Sequence, residues 1–166
     1  PELAKSIFEY DLLEDVDLTD VEAIAAKFQE REANPHYFSL EKEWHSLHFL
    51  LTGNSSLQED NILSTPEYNV VLGGTKTQFE ATYGFVRYLN PDEVKEVAEL
   101  LNSISVEELK QRFDSTVFDE MKIYPNPLPG GWNEEQIQPL FTMYPKLVKF
   151  FQNAAEDGDI ILLSSD

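Results

Sequence analysis

Trp44-His45-Ser46-Leu47-His48-Phe49-Leu50-Leu51-Thr52-Gly53 is the stretch on which the reading of the chain turns. Ser39 stands ahead of it as a helix cap. Gly53 behind it is a natural C-terminal stop, because glycine takes left-handed backbone without a Cβ clash. The pattern predicts a helix from about Leu40 to Leu51. Its interior is more apolar than a surface helix allows, so it is expected to be largely buried.

Downstream, Asn54 to Lys76 reads as an irregular stretch rich in Ser and Asn, with Pro66 and a Gly73-Gly74 pair; Tyr68 to Leu72 is its one strand-like run. Thr82 to Leu89 is β-like, with Tyr83, Phe85, Val86 and Tyr88. Asn90-Pro91 then opens a helix as cap and first-turn proline, with Glu93 completing the cap and Val94, Val97, Ala98 and Leu101 as the buried stripe. Ser105 and Glu108 form a second capping box, turning Val106, Leu109 and Phe113 inward; Thr116 to Lys122 adds a further helical turn. Pro125, Pro127, Pro129, Gly130 and Gly131 make the sharpest break, read as a loop within one domain. A long amphipathic pattern follows, from Ile137 through Leu140, Phe141, Tyr144, Leu147, Val148 and Phe151 to Ala155. Pro145 inside it predicts a kink or two abutting helices. Asp157-Gly158 ends it, and Ile160 to Leu163 is a short strand. Upstream, Glu2 to Glu9 reads as a short helix. Thr19 and Glu22 cap another, with Val21, Ile24, Ala25 and Phe28 on one face and Asn34-Pro35 as its stop.

At 166 residues the chain fits one domain with a real core. It contains no cysteine, which removes thiol and Cys-zinc chemistry and leaves the cytoplasm as the expected setting. No apolar run is long enough to span a bilayer, and no signal peptide is legible. The 31 acids against 12 bases give a net charge of −19, which repels nucleic acid and anionic membrane and attracts basic partners. For most of these carboxylates solubility is explanation enough. The densest group, Glu9 to Glu22, is interrupted by Leu12, Leu13, Val16 and Leu18; the aliphatics are expected to anchor it and the acids to face water.

Trp44-x-x-Leu47-His48-Phe49-x-Leu51-Thr52-Gly53 resembles the signature of the YfbM-like family of small uncharacterised bacterial proteins. Gly84-x-x-Arg87-Tyr88-Leu89-x-Pro91-x-Glu93-Val94 is similar to that family's strand-to-helix junction. Met121-x-Ile123-Tyr124-Pro125, then Trp132, then the closing helix and strand follow in the family's order, so the likeness covers almost the whole chain. The resemblance implies a single mixed α and β domain, and no activity, cofactor or substrate. It also implies a short further segment, read as a strand, ahead of the part equivalent to Glu2; the sequence opens at Pro1 without a methionine, so that segment is expected to be missing from it.

Few residues offer chemistry. Glu41, His45 and His48 fall at i, i+4 and i+7, one helix face where a carboxylate and two imidazoles could share a metal. The His-Glu-x-x-His spacing of zinc helices is absent, and no metal is assigned. The structural reading of His48 is a buried, hydrogen-bonded side chain beside Trp44 and Leu51; the sharper one is a general base lining a pocket, with Thr52 supplying a hydroxyl. No Gly-x-Ser-x-Gly elbow and no phosphate-binding loop occur; Leu72-Gly73-Gly74-Thr75-Lys76 is a turn. Tyr88, Tyr124 and Trp132 sit near element ends, either capping the core or serving an interface. Arg87, a rare base on a strand, is expected to pair with a carboxylate of the protein or of a ligand.

The expectation is therefore an α+β domain of several amphipathic helices around a small mixed β-sheet. The leading function is non-catalytic protein binding to a basic partner, with no cofactor. The alternatives are a small enzyme or small-molecule binder with a pocket near Trp44, His48, Thr52 and Tyr88, and a subunit of a larger assembly. Trp44, His45, His48, Thr52, Arg87, Tyr88, Tyr124 and Trp132 are the candidate binding residues.

Overall fold

A computed structural model describes residues 20–58, 62–127 and 129–165. The expected helix at Glu2–Glu9, most of the acidic stretch, and Thr19 lie outside these residues. The chain divides into two compact units, Pro1–Ser39 and Leu40–Asp166.

In the first unit, helix α1 runs Val21–Ala33 and stops ahead of Asn34-Pro35, as the proline requires. Its opening is bonded by Asp20, whose Oδ1 accepts from the Ala23 N–H at 3.0 Å.

The second unit starts with a 3-10 turn over Glu41–Glu43, then helix α2 over Trp44–Thr52. The helix thus begins about four residues later than its pattern predicts. Glu41 is left-handed (φ 48°), and Ser39 is not its cap, because the residue preceding the first turn of α2 is Glu43. The C-terminal stop is as expected: Gly53 has φ 68°, and its N–H donates to the Phe49 carbonyl. Helix α3 spans Pro66–Asn69, where a strand over Tyr68–Leu72 was expected. Pro66 presets the first helical φ, and the Tyr68 carbonyl then gathers the N–H groups of Val71, Leu72 and Gly73 into a turn. That local closure overrides the strand preference of Val70 and Val71.

Strands β1 (Thr75–Ala81) and β2 (Gly84–Leu89) form a hairpin, and β3 (Ile161–Leu163) pairs with the other side of β2. Both pairings are antiparallel, so the sheet is not mixed as expected. The strands are short and β1–β2 is joined by a tight turn, which needs no crossover helix. Among the described residues β1 is an edge strand, and its register with β2 breaks between Lys76 and Glu80.

Helix α4 (Pro91–Ser103) carries the Asn90–Glu93 capping box and buries Val94, Val97, Ala98 and Leu101, as its spacing predicts. Helix α5 (Val106–Gln111) carries the Ser105–Glu108 box. Asp114 caps α6 (Ser115–Glu120) by accepting from the Thr116 and Val117 N–H groups. Helix α7 (Glu134–Asp157) is one continuous helix through Pro139 and Pro145, not two. It ends at Gly158, in left-handed conformation. Helix α7 packs against α4, α5 and α2, and β2 packs against α4. Tyr144 of α7 is buried, and its hydroxyl reaches the carbonyls of Leu101 (3.1 Å) and Ile104 (3.2 Å) at the end of α4. Burial pushes that phenol up to about 12. No helix among the described residues is long and apolar enough to cross a membrane.

The Gly73-Gly74 turn is closed against α3. Asn69, buried, accepts from the Gly74 N–H at 2.8 Å, and a Cβ on Gly73 would lie 2.2 Å from the Asn69 Oδ1 and 2.7 Å from its backbone nitrogen. Gly73→Ala is expected to destabilise the protein by about 1–3 kcal/mol in a denaturant titration, because backbone and a buried amide must both give way.

Candidate functional site

Helix α2 places six buried residues in nine: His45, Ser46, Leu47, His48, Leu50 and Leu51. A helix buried on that many sides must find partners for its polar side chains inside the protein.

His45 finds two. Its Nδ1 accepts from the Tyr124 N–H at 2.9 Å, and its Nε2 lies 3.2 Å from the Ser55 carbonyl. A backbone N–H only donates and a carbonyl only accepts, so the ring is neutral with its proton on Nε2. Burial lowers its pKa, and the Ser55 bond works against that shift. One imidazole thus ties α2 to the segment after Gly53 and to the loop after α6. Ser46 adds a long contact, its hydroxyl 3.5 Å from the Tyr124 carbonyl.

His48 is fully buried, with neither ring nitrogen bonded. The expectation of a hydrogen-bonded histidine is not met. Its ring packs edge-on against Tyr68 at 5.0 Å. Desolvation, followed by the nearby His45, lowers its pKa to about 4. The Thr52 hydroxyl is spent on the helix end: it donates to the His48 carbonyl at 2.8 Å and accepts from the Asn54 N–H at 3.0 Å. Asn54 donates to the Tyr68 hydroxyl at 2.7 Å, which ties the same segment to α3. Neither Ser55 nor Asn54 carries a sequence signal for this role.

Glu41 lies on the 3-10 turn and not on the helix, so the expected i, i+4, i+7 face is not continuous. With both His45 nitrogens in backbone bonds, that ring has no lone pair for a metal. No cluster of three or more potential metal ligands occurs among the described residues.

The loop that His45 holds is the part that meets solvent. Tyr124 stacks on Trp44 with ring centroids 5.9 Å apart and planes 28° apart, and Trp44 stacks in turn on His45 at 5.2 Å. Trp44 is half-buried, while Tyr124 is 44% and Met121 50% exposed. Glu41, Lys122 and Asn126 are the non-glycine residues with left-handed backbone among those described, and all three lie on the two segments that meet at this stack. Such backbone costs on the order of 1 kcal/mol each and tends to gather at functional positions.

The other candidates are built into the fold. Trp132 is 4% exposed; its indole N–H donates to the Ile123 carbonyl at 3.1 Å, and its ring packs edge-on against Phe118 and Phe113. Among the described residues, Arg87 meets no carboxylate. Its Nε and Nη2 donate to the carbonyls of Gly73 (2.9 Å) and Gly74 (3.0 Å), bracing the turn. Tyr88 stands on β2 opposite Thr75 and Leu162. A hollow of about 140 Å³ beside the sheet is lined by Arg87, Tyr83, Phe85 and Leu163 among others, and one of about 220 Å³ lies between α4, α5 and α7. Trp44, His45, His48, Thr52 and Tyr88 line neither.

The unbonded His48 makes folding sensitive to acid. An unfolded imidazole takes its proton near 6.5 and this one near 4, so between those values the unfolded state holds more protons. Stability present above pH 6.5 is lost as pH falls toward 4, by up to about 3 kcal/mol. Chemical denaturation at a series of pH values is expected to show this slope, and His48→Leu to flatten it.

No curated protein matches the chain. Among solved structures it is similar to YfbM from Escherichia coli, a protein of unknown function, with 24% identity over 83% of this chain and 90% of that one and a TM-score of 0.56. At that identity the likeness is one of fold. A family model matches residues 5–164, and the chain belongs to that family, described as a domain of unknown function, DUF1877.

Proposed function

We propose that this protein is a non-catalytic binding module that takes a basic protein partner on the Trp44–Tyr124 face. The observation that supports the reading is the exposed ring of Tyr124 stacked on the half-buried Trp44, set on a chain of net charge −19. Flat aromatic rings held rigidly at a surface bring large contact area at low entropic cost, and they rank among the residues that dominate protein interfaces. The surrounding charge speeds encounter with a cationic partner. The polar groups near the face favour the same reading: His45 and Thr52 are engaged inside the protein, and His48 is sealed from solvent. A cytoplasmic setting belongs to this proposal, in keeping with a chain without cysteine.

The test is capture from native cell extract on the immobilised chain, at low and at high salt, beside the Tyr124→Ala variant. A stoichiometric basic protein is expected at low salt, released as salt rises because screening shortens the reach of surface charge. Tyr124→Ala is expected to lose most of that capture while its circular dichroism and melting stay close to wild type. Equal capture by the variant would remove the aromatic face from the interface, and no basic partner at either salt would overturn the proposal.

A further inference from the structure

The bond between α2 and the Tyr124 peptide has a chemical weakness that the other loop anchors lack. Ile123, fully buried, is held by groups that take up no proton: its N–H donates to the Phe118 carbonyl, and its own carbonyl accepts from the Asn126 N–H and from the Trp132 indole. The Tyr124 N–H has a single acceptor, His45 Nδ1. That acceptor is a lone pair that a proton can occupy.

We propose that His45 is an acid-operated latch, which holds the Tyr124 peptide to α2 while neutral and releases it when Nδ1 takes a proton. The protonated nitrogen becomes a donor 2.9 Å from another donor, so the attraction turns into repulsion. The Nε2 bond to the Ser55 carbonyl survives, because that nitrogen donates in both states. One side of the imidazole therefore lets go and the other holds, and the break falls on the loop rather than on α2. Lys122 and Asn126, two residues to either side of Tyr124, are in left-handed backbone, and Tyr124 itself is 44% exposed. Its release would unstack the ring from Trp44.

The charge around the two imidazoles neither supplies a counter-ion nor hides the effect. Tyr68 faces His48 from α3, and Tyr124 and Lys122 lie on the loop. Glu41, Lys42 and Glu43 form the turn ahead, where burial raises the Glu43 carboxyl. At the far end Arg112 donates to the Leu50 carbonyl, and from α7 the buried phenol of Tyr144 is engaged with α4. No carboxylate among the described residues bonds to either ring. Both histidines resist protonation through burial, and each proton opposes the next because His45 and His48 interact. The latch belongs to the fold and stands whether or not a partner docks on this face.

The test is nuclear magnetic resonance of the full chain from pH 7.5 downward, following the histidine ring signals, the Tyr124 amide and the amides of α4. The Tyr124 amide is expected to shift and lose its exchange protection together with the His45 ring, below the ordinary histidine value of 6.5, while α4 stays protected. In His45→Asn, whose Oδ1 accepts at the place of Nδ1 but takes no proton in this range, the Tyr124 amide is expected to stay bonded to acid pH. A Tyr124 amide that changes only when α4 unfolds would overturn the proposal. So would the wild-type transition persisting in His45→Asn. If that variant does not fold, the wild-type comparison of Tyr124 with α4 decides alone.

Discussion

Helix α2 is buried on most of its surface, and that one constraint dictates where its neighbours go. In water a nine-residue helix is marginal, so its stability comes from the elements packed on it. Its polar side chains then become attachment points. His45 draws in Ser55 and Tyr124, Thr52 fixes the first residues past Gly53, and Asn54 carries the connection on to Tyr68 of α3. Arg112 closes the far end by donating to the Leu50 carbonyl. Irregular segments that no ladder organises are therefore organised by a helix.

Where one local rule decides, the sequence was legible. Asn90 with Glu93 and Ser105 with Glu108 cap their helices as their spacing predicts, and Gly53 and Gly158 stop theirs in left-handed conformation. The sheet was legible only in part. β1 exposes residues on both faces, so no two-residue apolar alternation marks it. The Tyr68 turn depends on one carbonyl gathering three N–H groups, which strand propensity cannot anticipate. Antiparallel order rests on long-range pairing between β2 and a strand more than seventy residues later, and no local pattern records it.

The candidate site divides in the same way. The Trp-His-x-x-His stretch was singled out correctly as unusual, but its two histidines do opposite things. One is satisfied on both nitrogens by backbone groups distant in sequence, and the other on neither. Charge marks Arg87 in the sequence as a possible partner of a ligand carboxylate, and size marks Trp132 as either a core cap or an interface ring. Folding spends both on backbone carbonyls, acceptors to which a side-chain pattern is blind. Tyr124 is the exception: its ring reaches solvent because its backbone is held from beneath.

The broken register of β1 has a consequence for the protein in a crowded solution. An edge strand offers a row of unpaired donors and acceptors to any other chain in extended form. Between Lys76 and Glu80 the β1 backbone departs from regular pairing, and charged residues mark both ends of the departure. A foreign strand meeting that edge finds only short regular runs, too brief to seed a growing stack. The irregularity that weakens the hairpin thereby makes the β1 side of the sheet a poor template for a second strand.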